Sequence, residues 1–248
     1  MAATHPSTYQ LGTPTVAHRA GLSVWLTLFA GAIFTLVGGY GVIVLLAGAS
    51  RAARPSMLLA ALFFGGVGVA FLVVGCLQSR QSIQVFEHGF TYIKTGAVRA
   101  VRWDAIDSIR CQAVHMRVNF IPVGTLHTYT IRTSQGETIK LTNSVGKVAK
   151  LGALIQAEAF RHLMPRAIES YNAGSTLQFG KLSVNQAGIG NGKEIVPWAQ
   201  IKSVQVSNGF IAIKKDGKWL NWANVAVAQT PNFFVFLALV GRVVGVKS

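Results

Sequence analysis

Two long uncharged runs dominate the first third of the chain. The first covers residues 21–50 and the second residues 57–78, and neither contains a charged side chain. About 20 apolar residues are enough to span the hydrocarbon core of a bilayer. A short polar segment with a proline, residues 51–56, joins the two runs. The pattern therefore predicts a two-helix transmembrane hairpin over residues 21–80, preceded by a flexible polar tail over residues 1–20.

Both uncharged runs are rich in glycine. Ala61 with Gly65, and Gly66 with Ala70, have the four-residue spacing that lets two helix backbones approach closely. We expect these small residues to pack the two helices against each other. The alternatives are a dedicated oligomer face and the general frequency of glycine in membrane helices.

From Ser82 onward the pattern changes to short segments in which apolar and polar residues alternate. These segments are rich in Val, Ile, Thr, Tyr and Phe and are separated by turns that contain glycine, which is typical of antiparallel strands. A helical stretch interrupts them. It is expected to start at a cap formed by Asn143 and Ser144, and Pro165 is expected to kink or end it. The chain closes with an apolar helix in which Pro231 suits the first turn.

The strand-rich region contains an internal repeat. RWDAIDSIR at 102–110 and PWAQIKSVQ at 197–205 share the pattern Trp-x-x-Ile-x-Ser followed by an aliphatic residue. One glycine precedes each tryptophan, and a second glycine follows it with equal spacing to an asparagine. The matched residues are Gly89, Trp103, Ile106, Ser108, Gly136 and Asn143 in the first copy and Gly188, Trp198, Ile201, Ser203, Gly217 and Asn224 in the second. This order predicts a duplicated unit, over residues 81–173 and 174–248.

The Trp-x-x-Ile pattern indicates a corner between two strands. Side chains alternate along a strand, so residues three apart would face opposite sides. A strand, a turn and a new strand would instead turn both large side chains into one core. An exposed role in stacking on a ligand or at a membrane interface is the alternative. The first copy also holds about fourteen additional residues before Gly136, which we expect to form a longer strand pair or a loop.

Several antiparallel strands closed by a C-terminal helix form the layout of a pleckstrin-homology-like (PH-like) fold. On the motif residues above, the chain resembles the bacterial membrane-anchored PH-like proteins from about residue 82 to the end. The resemblance implies a membrane α-helical hairpin followed by an α+β, mainly β, region. That region would consist of two tandem PH-like units, each with antiparallel sheets and a C-terminal helix. The resemblance says little about activity, because a fold does not fix a function.

The charge distribution favours an anionic partner. The chain has 23 Lys and Arg against 8 Asp and Glu, a formal net charge of +15. In a membrane protein this surplus favours anionic lipid headgroups over nucleic acid, for which no recognised motif is present. By resemblance to the headgroup-binding loop of eukaryotic PH domains, Lys94 and Arg99 lie in that region of the first copy and Lys193 in the second. Three further residues crowd the Gly217 hairpin: Lys214, Lys215 and Lys218. Scattered, solvated charge is the alternative.

Basic residues near the hairpin predict its orientation. The connecting segment carries Arg51 and Arg54, and the opposite ends carry four basic residues, namely Arg19, Arg80, Lys94 and Arg99. The positive-inside rule then predicts a multi-pass protein of the cell membrane, with its N-terminus and its C-terminal region cytoplasmic. The two cysteines, Cys76 and Cys111, have no disulfide or metal spacing and are expected to be free thiols.

Candidate catalytic groups are few. Asp104, Asp107 and a nearby histidine, His115 or His127, are better read as polar turn residues, and Cys111 with both histidines lacks a fourth ligand for a metal site. GIGNGKE at 188–194 lacks the spacing of a phosphate-binding loop and is expected to be a turn between strands. We therefore predict no catalytic, cofactor or metal residues.

Two hypotheses about function remain. The first is a non-enzymatic, membrane-anchored binding or scaffold protein at the cytoplasmic face, which engages anionic headgroups or a protein partner. The second is an accessory subunit of a larger membrane complex for transport, secretion or envelope assembly, with the glycine-rich helices as its docking surface.

Overall fold

The structure is a computed structural model that describes residues 11–48, 54–94, 96–118 and 121–244, with the side chains of 115–124 excepted. Its helices are α1 (Leu22–Leu46), α2 (Arg54–Ser79), α3 (Val148–Asn172) and α4 (Phe233–Val243). The first seven strands are β1 (Pro14–His18), β2 (Ser82–Phe86), β3 (Gly89–Lys94), β4 (Ala97–Arg102), β5 (Ile106–Val118), β6 (Ile121–Thr133) and β7 (Thr138–Leu141). The others are β8 (Leu177–Phe179), β9 (Leu182–Val184), β10 (Gly188–Gly190), β11 (Ile195–Pro197), β12 (Ile201–Ser207), β13 (Phe210–Lys215) and β14 (Asn221–Ala226).

The structure divides into two compact units. The first comprises Met1–Ala100 and Asn143–Lys147, and the second comprises Val101–Thr142 and Val148–Ser248. The strand pairs whose register the structure describes are antiparallel. The coarse prediction of two apolar helices followed by antiparallel sheets and a C-terminal helix is thus confirmed.

Helices α1 and α2 pack as an antiparallel pair through small residues. The buried positions recur every seven residues: Val24, Gly31 and Gly38 in α1, and Ala61, Gly68 and Gly75 in α2. A Cβ atom added at Gly38 would lie 2.5 Å from the backbone nitrogen of Gly65. Ala61 and Gly65 take part in this contact, as their spacing predicts, whereas Gly66 faces open space.

The outward surface of the helix pair is apolar. Both helices are long and apolar enough to cross a membrane, and only 11% of the most apolar stretch of each is buried. Core helices of soluble proteins bury their apolar residues, so the exposed ones here need another apolar surrounding. At about 1.5 Å per residue, helices of 25 and 26 residues measure about 38 Å, which exceeds the hydrocarbon thickness of a bilayer.

Strand β1 corrects the flexible tail predicted over residues 1–20, of which residues 1–10 lie outside the described residues. Residues 14–18 form β1, which pairs with β2 so that His18 lies opposite Ile83 and Ala17 opposite Gln84. The sheet order is β1-β2-β3-β4. The helix pair is therefore inserted between two neighbouring strands of one sheet. A short strand whose partner lies beyond the whole hairpin has no local pattern that would predict it.

Residues 143–146 fasten both ends of the helix pair. The Gly21 amide donates to the Ser144 carbonyl at 2.7 Å, and the hydroxyl of Ser144 donates to the Gln81 side chain at 3.1 Å. Gly21 immediately precedes α1 and Gln81 lies just after α2, so this one segment holds both ends of the helix pair. The predicted helix cap at Asn143 and Ser144 is wrong, because α3 begins only at Val148 and these residues bond to the hairpin instead.

In the second unit, α3 covers one face of the sheet β5-β6-β7. Ile109, Ile131 and Ile139 are buried on that face, and the ring of Tyr129 lies against Gly152 of α3. Pro165 does not end α3, which continues to Asn172. The buried residues Leu163, Met164 and Ala167 surround the proline, and their packing offsets its lost hydrogen bond.

In the rest of the second unit, the elements from β8 to α4 repeat the order in which the sheets and the helix occur from β1 to α3, apart from the inserted helix pair. The sheets are β11-β10-β9-β8 and β12-β13-β14, and α4 closes them. Phe179 of β8 and Phe236 of α4 meet edge to face, with ring centroids 5.5 Å apart. Thus a four-stranded sheet, a short 3₁₀ turn, a three-stranded sheet and a helix occur twice in chain order.

The repeated tryptophans lie at the predicted corners. Trp103 and Trp198 each begin a 3₁₀ turn between two strands, and Ile106 and Ile201 begin the strands that follow. Trp103 and Ile106 are buried, whereas Trp198 is half-buried and its indole N–H donates to the Asn185 carbonyl at 3.0 Å. The core interpretation therefore holds fully for the first copy.

The glycine anchors match between the copies, but the asparagines do not. Gly89 and Gly188 each begin a strand, and Gly136 and Gly217 occupy positive φ in turns. Asn143 follows the end of β7, whereas Asn224 lies within β14 opposite Ala212. The equal spacing is therefore misleading: the turn before β14 is one residue longer than the turn before β7, and β14 starts four residues after Gly217 whereas β7 starts two residues after Gly136.

Candidate functional site

The most exposed apolar side chains outside the two long helices lie in a turn. Residues Asp216–Leu220 connect β13 to β14, and Trp219 and Leu220 are 92% and 77% exposed. Gly217 takes a positive φ of 67°, and the Asp216 amide donates to the Gln200 carbonyl at 2.8 Å, which fixes the start of the turn. We call residues 214–222 together with 193–195 the tip.

A carboxylate organises the base of the tip. Glu194 accepts hydrogen bonds from the indole N–H of Trp222 and, at 3.4 Å, from the ammonium group of Lys215. The same ammonium group lies 5.8 Å from the centre of the Trp222 ring. The hydrogen bond from Trp222, with a further contribution from Lys215, lowers the pKa of the Glu194 carboxyl. Glu194 thus stays ionised and ties the β10–β11 turn to β13 and β14.

The β10–β11 turn is closed by its own side chain. The Asn191 side-chain oxygen accepts from the amides of Lys193 and Glu194, at 3.0 and 3.1 Å. This explains why GNGKE forms a turn rather than a phosphate-binding loop. Because Asn191 already occupies both amides, any anion here would have to be held by side chains instead.

The apex of the tip is apolar at its centre and basic at its edges. A cavity of about 490 Å³ lies beside Trp219 and Leu220, and Lys215, Lys218 and Trp222 also line it. Lys193, Lys214 and Lys218 form no ion pair with any described residue. Exposed tryptophan and leucine side chains surrounded by lysines are suited to contact a partner that has an apolar interior and an anionic surface.

The structure separates the predicted basic residues into two groups. Lys193, Lys214, Lys215 and Lys218 all belong to the tip of the second unit. Lys94 ends β3 and Arg99 lies in β4, both in the first unit. Burial raises the pKa of the Tyr92 hydroxyl, and the charge of Arg99 partly opposes this. Lys215 differs from the other lysines of the tip because it is committed to Glu194.

The sequence interpretation missed the apolar residues of the tip. Trp219 and Leu220 were included only as part of a hairpin, and Glu194 was assigned no partner. One signal was present, since turns are normally polar and a Trp-Leu pair two residues after Gly217 breaks that pattern. The contact between Glu194 and Trp222 joins residues 28 apart and has no local signal.

Asp104, one of the candidate catalytic residues, makes structural contacts. Arg102 donates to the Asp104 carboxylate at 2.8 Å, which lowers the pKa of that carboxyl, and Arg166 donates to the Asp104 carbonyl at 3.0 Å. The His115 side chain lies outside the described residues. Within the described part of the chain, no group of three His, Cys, Asp or Glu side chains is placed to hold a metal.

The thiol of Cys111 is expected to react slowly with alkylating reagents. It is half-buried on β5 opposite Tyr129, and burial raises the pKa of its thiol while a hydrogen bond with Tyr129 partly opposes this. Because the thiolate is the reacting form, Cys111 in the Cys76→Ser protein should react with maleimide at pH 7 at least about tenfold more slowly than a cysteine at exposed Ser207. Mass spectrometry of timed samples measures both rates. Equal rates would contradict the assigned environment.

Comparison with known proteins identifies a family but no activity. No curated protein and no solved structure matches the chain. One protein family matches residues 1–247, and its description is "Family of unknown function (DUF6585)". The match includes the helix pair, both tryptophan corners and the tip. The chain therefore belongs to DUF6585, a family of unknown function.

Proposed function

We propose that this protein is a non-enzymatic, membrane-anchored binding or scaffold protein with two tandem PH-like units at the cytoplasmic face of the cell membrane. In this proposal the helix pair is the anchor, and the tip of the second repeat engages anionic lipid headgroups. The observation that carries the proposal is the exposed Trp219–Leu220 pair surrounded by lysines in a chain with two membrane-length apolar helices.

The helix pair supports the anchor. Its outward face is apolar over the length of a bilayer core, and its inward face is filled by the other helix. Because β1 and β2 pair with each other, the two ends of the helix pair lie together. A chain that crosses twice returns to the side from which it started, which agrees with this pairing. The balance of basic residues favours the cytoplasm for that side.

The element order supports the PH-like interpretation. Each repeat contains a four-stranded sheet, a three-stranded sheet and a closing helix, and a tryptophan begins the turn between the two sheets. The resemblance seen in the sequence rests on the same tryptophan corner. The first repeat differs from the second because its first strand precedes the helix pair.

The chemistry of the tip supports lipid as the ligand. Transfer of tryptophan and leucine from water to the interfacial region is favourable, and each lysine near an anionic surface strengthens binding by about 1 kcal/mol. Either contribution alone is weak. An anchored protein already lies at high local concentration near the bilayer, so modest attraction is sufficient to hold the tip there.

A fluorescence experiment on the full chain tests this function. Leu220→Cys, in a background with Cys76→Ser and Cys111→Ser, is labelled with an environment-sensitive dye and placed in nanodiscs of phosphatidylcholine with or without phosphatidylglycerol. We expect a blue shift and protection from iodide only with the anionic lipid, and their loss at high salt because the attraction is screened. Lys193→Gln with Lys218→Gln should weaken both effects.

A label at the other end of the same strands is the control. Ser207 is exposed and ends β12, next to the turn opposite the tip along β13. The same dye at Ser207→Cys should stay in water in both nanodiscs. Equal signals from positions 207 and 220, or equal signals in neutral and anionic nanodiscs, would rule out lipid binding by the tip.

The accessory-subunit alternative rests on the glycine-rich helices. Most of their glycines are used within the helix pair, where Gly31, Gly38, Gly68 and Gly75 contact the other helix. Gly39 and Gly66 face open space and are the outward positions at which another helix would approach. Co-purification after mild detergent extraction tests this alternative, and a partner lost on Gly66→Leu would favour it.

A further inference from the structure

The outer face of the sheet β5-β6-β7 carries polar and basic side chains. Its inner face buries Ile109, Ile131 and Ile139 beneath α3. Since successive side chains point to opposite faces, their strand neighbours point outward. These outward residues form two rows across the strands: Ser108, Arg132 and Thr138 in one row, and Arg110, Thr130 and Lys140 in the other.

Arg110 and Arg132 occupy neighbouring rows on adjacent strands. Such diagonal neighbours lie about 7–8 Å apart, within reach of one small ligand for side chains of this length. Both arginines are exposed, and neither forms an ion pair with a described carboxylate. Asp107 is the carboxylate that lines the same cavity. This face therefore carries the positive charges of Arg110, Arg132 and Lys140 and the negative charge of Asp107. Its net positive charge would attract an anion.

Residues of the second repeat lie beside this face and enclose with it a cavity of about 560 Å³. Gln178 of β8 and Gly180 of the β8–β9 turn form one wall, and Pro231 and Asn232 before α4 form another. This volume lies within the range of small-molecule sites, which is about 300–1,000 Å³. The cavity is lined mainly by polar groups, among them the hydroxyls of Ser108, Thr130 and Thr138.

The walls of the cavity are held by hydrogen bonds to its floor. Asn232 has a positive φ of 51°, and its side-chain oxygen accepts from the Ile109 amide at 2.9 Å. Its side-chain nitrogen donates to the Asp107 carbonyl at 2.9 Å, and its own amide donates to the Ile109 carbonyl at 2.9 Å. Gly180, also at positive φ, is packed against the Gln229 carbonyl. The cavity is therefore formed before any ligand arrives, which lowers the cost of binding.

We propose that this cavity binds a phosphate monoester, with Arg110 and Arg132 on the phosphate oxygens. Planar guanidinium groups pair with phosphate through two parallel hydrogen bonds each, and the neighbouring hydroxyls donate to the remaining oxygens. The cavity is larger than a phosphate group, so the rest of the ligand lies beside Gln178 and Thr138. The monoester is either a soluble small molecule or the headgroup of a lipid such as phosphatidic acid. This site is separate from the tip and does not depend on it.

Two experiments on the full chain distinguish a soluble ester from a lipid headgroup. In the first, the soluble arm, calorimetry measures binding of sn-glycerol 3-phosphate to the protein in nanodiscs of phosphatidylcholine. For the lipid arm, phosphatidic acid replaces part of the phosphatidylcholine. In both arms, protection of Arg110 and Arg132 from phenylglyoxal is measured by mass spectrometry. Protection by the soluble ester identifies a free ligand, and protection by phosphatidic acid alone identifies a headgroup. Protection in neither arm would overturn the proposal.

Paired variants separate a specific site from general charge. Arg110→Gln with Arg132→Gln should weaken binding of the monoester at least about tenfold, since two charge-assisted contacts are lost. Lys150→Gln with Lys202→Gln removes two charges from exposed positions of α3 and β12 and should leave binding unchanged. Circular dichroism checks that both proteins keep their fold. Equal weakening by the two pairs, or none by the arginine pair, would also overturn the proposal.

Discussion

Gly38→Leu is expected to break the contact between α1 and α2. A Cβ atom at position 38 would meet only backbone atoms, at 2.5 Å from the Gly65 nitrogen, 2.6 Å from its Cα and 3.0 Å from the Ala61 carbonyl oxygen. No side chain can rotate away to make room, so the helices must separate. Overpacking typically costs about 1–3 kcal/mol, and we expect at least about 3 kcal/mol here because backbone atoms are displaced.

The neighbouring glycine is a matched control for this change. Gly39 is the next residue of the same helix, and a Cβ atom there would meet nothing within 4 Å. Gly39→Leu should therefore leave stability unchanged or slightly raised, because leucine favours a helix more than glycine does. Unfolding of both full-length variants by SDS in mixed micelles measures the difference. Equal losses would contradict the described helix contact.

Gly152→Ala is expected to produce the second large effect. The ring of Tyr129 lies directly on Gly152, so a methyl group would overlap the ring carbons. Tyr129 is 5% exposed and is held between the sheet and α3, and its hydroxyl points to the Ala149 carbonyl at 3.5 Å. Burial raises the pKa of that hydroxyl to about 12, which reflects the same enclosure. We expect a loss of about 2–3 kcal/mol.

A double-mutant cycle shows whether the cause is the ring. In a Tyr129→Ala protein the space above Gly152 is empty, and Gly152→Ala should then be neutral or stabilise by about 0.5–1 kcal/mol through helix propensity. Chemical denaturation of the four full-length proteins in detergent, followed by near-ultraviolet circular dichroism, gives the coupling. If Gly152→Ala costs the same in both backgrounds, the ring is not responsible.

The sequence predicted the two long helices and the tryptophan corners, because both depend on residues close together in the chain. The uncharged runs identified both long helices, since length and composition alone decide whether a segment suits a membrane. The tryptophan corners were predictable because Trp103 and Ile106 could share one core only across a turn. Of the two outcomes expected at Pro165, a kink or an end of the helix, the end is wrong, because tertiary packing around α3 offsets the local penalty.

Features made by distant residues were not predictable. Strand β1 pairs with a strand on the far side of the helix pair, and Asn143 and Ser144 bond to the hairpin rather than cap α3. The arginine cavity requires Asn232 to reach β5, more than a hundred residues away in sequence. At the tip, the lysines were predicted from charge, but the exposure of Trp219 depends on the extended turn before β14.

The pairing of β1 with β2 has a consequence for biosynthesis. About 64 residues separate His18 from Ser82, so β1 leaves the ribosome first and, at about 5–20 residues per second, waits several seconds for its partner. During that time its unpaired backbone groups are open to other strands. The sheet is completed only after both helices have been made. Closure of β1 onto β2 is therefore a late step that requires the complete helix pair.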